Sequence, residues 1–192
     1  MNSFEVLPEG YKEILHIDLQ KDKKLMLIVN GIAVLIMVLM LVVAAAIVPL
    51  TTLIDYEQPS ELLHKVAVLG IGSLAYIILH EAVHGIFMRR YCTAKVKFGF
   101  TGMYAYAGSE GYYCRKHYIT IALAPIVIWG VVLLVANLLV PVSWFYVIYF
   151  IQVTNISGAA GDLYVSRKMS KLPQDILVRD TGVAMTVFSR EG

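Results

Sequence analysis

Four apolar runs divide the chain. The first, Leu25 to Leu50, is interrupted by Asn30 and Gly31 and is long enough to cross a hydrocarbon core of ~30 Å at ~1.5 Å per residue. The second, residues 66–88, carries His80, Glu81 and His84 in its last third, where polar groups need an explanation. The third, Ile119 to Val140, is closed by Pro141, and the fourth, Trp144 to Val165, holds Asn155, Ser157 and Asp162 in its final third. The pattern predicts an all-α membrane protein with four transmembrane helices at about 25–50, 66–88, 119–140 and 144–165.

Between the second and third runs the pattern changes. Ala94 to Phe100 alternates apolar and polar residues, a Thr101-Gly102 turn signal follows, and Met103 to Ala107 alternates again. This predicts a small β-hairpin in the loop between helices two and three. Residues 166–192 form a short polar tail whose structure the pattern leaves open. The whole chain, 1–192, reads as a single polytopic domain.

Composition agrees with lipid as the solvent: 58% of residues are hydrophobic and 16% charged, with a mean hydropathy of +0.70. Charge placement then orients the spans. Every Lys and Arg except Lys65 falls in the N-terminal segment, the Arg89–Lys116 loop or the tail, which four spans place on one side. By the excess of basic residues in cytoplasmic loops, both termini of this integral cell-membrane protein are expected in the cytoplasm. The partners expected are the lipid bilayer and a protein or peptide substrate, with no nucleic acid; nothing in the chain indicates an oligomeric state. Cys92 and Cys114, both in the cytoplasmic loop, are expected as free thiols.

The candidate chemistry lies at His80-Glu81-Ala82-Val83-His84, an H-E-x-x-H pattern on a helix. Residues four apart stack on one helical face, so both imidazoles reach one Zn2+ ion while Glu81 points at a water on the metal. Such a water has its pKa lowered to about 7, and Glu81 is expected to act as base. A charged group at membrane depth costs roughly 2.5 kcal/mol or more, which marks it as a functional candidate.

A third ligand must come from elsewhere. Spans two and four run in the same direction, so His80, His84 and Asp162 reach similar depth in the cytoplasmic third, and Asp162 is the first candidate. Glu110, in a glycine-flanked turn, is the second. His64 lies too far along the helix to share the metal, and His16 and His117 read as isolated interfacial histidines. Asn155, Gly158 and Asp162 share a helical face whose small residues let span two approach. Asn155 is expected either to orient substrate or to bond across helices.

An H-E-x-x-H at the end of one transmembrane helix, with an aspartate in a later Asn-containing helix, resembles the site-2 protease family of intramembrane metalloproteases. The chain departs from that pattern in having Gly158 within the Asn segment and Leu163 after the aspartate. It is more similar to the "putative zincin peptidase" family of small bacterial membrane proteins, a domain of unknown function. That resemblance covers about Leu79 to Asp180, including His80 to Gly85, Asn155 to Asp162, and Pro173 with Asp180. It implies a zinc site of His80, His84 and Asp162 with Glu81 catalytic, and a β-hairpin after the first catalytic helix. The expected activity is zinc-dependent hydrolysis of peptide bonds in membrane-associated or transmembrane proteins near the cytoplasmic face. A zinc-binding scaffold without turnover and a metal-ion transporter are the alternatives.

Overall fold

The computed structural model describes residues 3–18, 21–53, 59–102 and 104–190. The described part is mostly helical, with two small sheets; Met103 of the expected hairpin lies outside it. Strand β1 (Lys12–Asp18) leads to helix α1 (Lys23–Ile47), and α2 spans Pro59–Tyr91. Strands β2 (Val96–Phe100), β3 (Ala105–Ser109) and β4 (Tyr112–Cys114) precede α3 (Arg115–Leu139). Then come α4 (Phe145–Gly158), α5 (Ala160–Ser170), β5 (Leu177–Asp180) and β6 (Ala184–Ser189).

Local chemistry accounts for the helix boundaries. The Asp22 carboxylate accepts the Leu25 N–H at 2.9 Å and caps α1, and Pro59 opens α2, where a missing N–H costs nothing. Helices α1, α2 and α3 are long and apolar enough to cross a membrane. At 33 residues α2 rises about 50 Å, more than a bilayer core requires.

The fourth apolar run is not one helix. It is divided between α4 and α5 at Ala159, whose φ of −86° and ψ of 19° leave the helical region. The hydroxyls of Thr154 and Ser157 bond back to the carbonyls of Phe150 and Val153 at 3.0 and 2.7 Å. Such back-bonding bends a helix, and Gly158 adds backbone freedom beside the break. Asp162 thereby sits in the first turn of α5, where the helix dipole favours a carboxylate.

Two compact units are formed. One comprises Met1–Val29, Leu79–Pro125 and Gly161–Gly192; the other, Asn30–Ile78 and Ile126–Ala160. In the first, an antiparallel sheet of order β1-β6-β5-β4 joins the two chain ends, pairing Lys12 with Ser189 and Asp18 with Ala184. One face of it buries Ile17, Val178 and Val187 in a core with Met88 of α2, Ile121 of α3 and Met169 of α5. Fully burying such a side chain contributes about 1.5–3 kcal/mol, so this core fastens three helix segments around one sheet. The separate β2–β3 hairpin pairs Val96 with Ser109 through Phe100 with Ala105.

The second unit is held by polar contacts inside apolar helices. Asn155, fully buried, accepts the Tyr76 hydroxyl at 3.0 Å and donates to the Ile126 carbonyl at 3.2 Å, tying α2, α3 and α4. A Cβ on Gly72 would come within 2.8 Å of the Ile151 side chain, so α2 and α4 approach closely there. Tyr146 and Tyr149 donate to carbonyls of Val48 and Met40. Lys65, buried, lies 3.4 Å from the Leu53 carbonyl and 3.6 Å from Glu61.

Tyr113 of β4 is fully buried, and burial pushes its phenol up to about 12. The folded chain keeps this proton to higher pH than the unfolded one, so stability is lost as pH rises from about 10 to about 12. Tyr113→Phe is expected to remove up to about 3 kcal/mol of that alkaline loss, read from denaturant unfolding across the same pH window.

Candidate metal centre

His80 and His84 face the same way on α2 because they are four residues apart. Their Nε2 atoms lie 3.2 Å from each other. Asp162, at the start of α5, brings Oδ2 to 3.4 Å from His80 Nε2 and Oδ1 to 3.6 Å from His84 Nε2. All three belong to the first compact unit, and among the described residues they form the one group of His, Cys, Asp and Glu placed to share a metal ion. Both histidines are buried and Asp162 is partly exposed.

These separations suit zinc. Ligand bonds of about 2.0–2.2 Å in a tetrahedron give ligand–ligand edges of roughly 3.3–3.6 Å, against observed edges of 3.2, 3.4 and 3.6 Å. Two imidazoles and one carboxylate are also a donor set that leaves a fourth tetrahedral position for water or substrate.

Each neighbouring group is held in place. His84 Nδ1 donates to the Ile121 carbonyl at 2.9 Å, and the Glu81 carboxylate lies beside the backbone N–H of Ala107 in β3. The hairpin reaches α2 partly through Gly85, where a Cβ would collide with the Phe98 ring. Asp180, near the far end of β5, accepts the Tyr118 hydroxyl at 2.6 Å and the Gly182 N–H at 2.8 Å. Burial raises its carboxyl above the ordinary 3.8, with these two hydrogen bonds pulling back. Ala107, Ile121 and Tyr118 carried no sequence signal, because two act through the backbone and the third is one tyrosine among 12.

Other candidates are elsewhere. Glu110, largely exposed, pairs with Arg179 at 3.5 Å and is outside the metal group. His64 is exposed on α2, and His16 bonds Thr186 across β1 and β6 at 3.1 Å. His117 stacks on Tyr91 with ring centroids 4.0 Å apart and bonds Ser3. Cys92 and Cys114 are buried free thiols. Asn155 has both ends of its amide engaged across helices of the second unit. His80→Ala, His84→Ala and Asp162→Asn are each expected to weaken zinc binding more than about 100-fold, beyond the loss typical of an outer partner, while Glu110→Gln leaves it unchanged. Chelator competition on the purified protein measures this, and zinc affinity untouched by Asp162→Asn would remove that residue from the site.

No curated protein and no solved structure matches the chain. A family model described as "Putative zincin peptidase" matches residues 73–177. The matched segment contains His80, Glu81, His84 and Asp162, and a zincin implies zinc, the metal that this donor set suits. Because the match covers more than half of its length, the chain belongs to this family, whose description points to a zinc metallopeptidase.

Proposed function

We propose that the protein is a membrane-embedded zinc endopeptidase in which His80, His84 and Asp162 hold the metal and Glu81 is the catalytic base. The observation that carries this reading is the position of Glu81: it adjoins His80 on α2, and its carboxylate lies beside the backbone N–H of Ala107. A site that only stored zinc would have no use for a carboxylate so held. This also weighs against a transport role.

When bound, zinc would supply a Lewis acid that polarises the scissile carbonyl and lowers the pKa of water to about 7. Glu81 takes a proton from the attacking water as its oxygen bonds to the carbonyl carbon. The same carboxyl returns the proton to the amine nitrogen as the C–N bond breaks. The Ala107 N–H restrains the rotation of Glu81 and keeps one oxygen directed at the reacting atoms.

The substrate in this reading is a membrane-associated or transmembrane protein, cut near the cytoplasmic face. In support, α1, α2 and α3 are each fit to span a bilayer. Helix α4, with 14 residues and a rise of about 21 Å, would complete a fourth crossing by continuing into α5. The basic residues cluster in the segments that four crossings put on the cytoplasmic side, with both termini. The site-2 protease likeness of the motifs belongs to the same proposal.

A transmembrane substrate must unwind to be cut, and its backbone then needs new partners. The β2–β3 hairpin, which includes the alternating Lys95 to Phe100 segment, can take an extended peptide as an added strand. Ala107 directs its N–H away from β2 toward Glu81, so by the alternation of an antiparallel pair Ala105, Ala107 and Ser109 share that outer edge. A peptide laid there passes the base. Asn155 acts in this scheme as a cross-helix bond.

Purified wild type and Glu81→Gln, compared by metal analysis and by cleavage of a transmembrane-peptide library, test the assignment. About one zinc per chain in both, with cleavage by wild type alone, is the expected result. Zinc in both with cleavage in neither favours a scaffold, and no zinc in either ends the proposal. For the added strand, Ala105→Pro removes an outward N–H that the hairpin does not use. It is expected to lower turnover at least about 10-fold, one backbone hydrogen bond of roughly 1.4 kcal/mol, with zinc content unchanged; full turnover would rule strand addition out.

A further inference from the structure

A carbonyl inside an α-helix accepts the N–H of the residue four positions later, and a side-chain donor then has to share that oxygen, as at Phe150, Val153 and Ile126. Ile121 is an exception. The residue four positions after it is Pro125, which lies inside α3 and has no N–H to give. The Ile121 carbonyl, on a buried residue, is therefore deprived of its helical donor, and an orphaned buried acceptor is costly. His84 Nδ1 lies 2.9 Å from that oxygen.

The consequence is chemical. A carbonyl oxygen only accepts, so Nδ1 must carry the hydrogen, and the neutral ring then presents a bare lone pair at Nε2. It is Nε2 that faces His80 at 3.2 Å and Asp162 at 3.6 Å. With an N–H at residue 125, the Ile121 carbonyl would be shared with its own helix, and the contact that sets the His84 tautomer and ring plane would be weakened.

We propose that Pro125 is a positioning residue of the metal centre: by withholding a backbone N–H it opens the Ile121 carbonyl to His84 and so aims the His84 Nε2 lone pair at the metal. The inference rests on the zinc-site reading above and deepens it. Pro125 touches neither the metal nor substrate. It acts through Ile121 and His84, the outer partner of a ligand histidine being the group that fixes its orientation.

The rival explanation is that Pro125 matters only by bending α3, as prolines do. Two variants with the same side chain separate the two. Pro125→Ala installs an N–H that bonds the Ile121 carbonyl. Pro125→lactic acid, incorporated as the α-hydroxy acid, carries the same methyl group but an ester oxygen in place of the N–H. Zinc affinity by chelator competition is expected to fall about 10- to 100-fold in the alanine variant and to recover most of that loss in the ester.

Folding is followed in parallel by thermal unfolding of the metal-free chain, which is expected to be no less stable in Pro125→Ala, since proline is the least favourable helix-interior residue. A ¹⁵N spectrum of labelled metal-free protein, recorded at a pH high enough for the ring to be neutral, should show His84 protonated at Nδ1 in wild type and in the ester, and a mixture of tautomers in the alanine variant. Zinc affinity in Pro125→Ala equal to wild type would overturn the proposal. Equal weakening in the alanine and ester variants would overturn it too, assigning the effect to the bend. Wild type without zinc would instead fail the metal-centre reading itself.

Discussion

Two imidazole nitrogens and a carboxylate, with ligand atoms 3.2 to 3.6 Å apart, meet largely buried inside the first compact unit. In such surroundings, electron pairs facing one another are tolerated only with a cation between them or a proton shared among them. That constraint organises the first compact unit. The helix α2 must present His80 and His84 on one face, and α5 must begin where it does for Asp162 to meet them. The break at Ala159 is what lets α5 start afresh, with the carboxylate in its first turn.

Fixing three groups to tenths of an ångström requires a stiff support, and the sheet supplies it. Strands from both ends of the chain, β1 and β6, pair along their length, and β5 and β4 extend the sheet. The apolar face they bury takes in Met88 of α2, Ile121 of α3 and Met169 of α5. Those residues lie close in sequence to His84, to the carbonyl that His84 uses, and to Asp162. The core thus sets the relative places of the three segments that form the site.

The hairpin has a different task. Its strand β3 brings the Ala107 N–H beside Glu81, and Gly85 leaves room for Phe98 beside α2. Substrate recognition through strand edges and base orientation through the same strand would couple binding to chemistry, because a peptide that failed to lie along β3 would also fail to meet a directed carboxylate. In the proposed reading, such coupling suits a substrate that must first leave a helical conformation.

The sequence by itself determined the apolar helices, the pairing of His80 with His84 and the candidacy of Asp162. Each of these is a local matter: a run of apolar side chains, a spacing of four, a carboxylate where lipid disfavours one. The alternation of Ala94 to Ala107 was likewise legible as strand. Tertiary structure alone decided the rest. The sheet of β1, β4, β5 and β6 draws on both ends of the chain, and no local pattern announces a pairing of Lys12 with Ser189. The division of the fourth run depends on side chains bonding back to their own helix, which hydropathy does not register. The partners of Glu81 and His84 are a backbone N–H and a backbone carbonyl. Every residue has such groups, so only their placement in three dimensions distinguishes the one that acts.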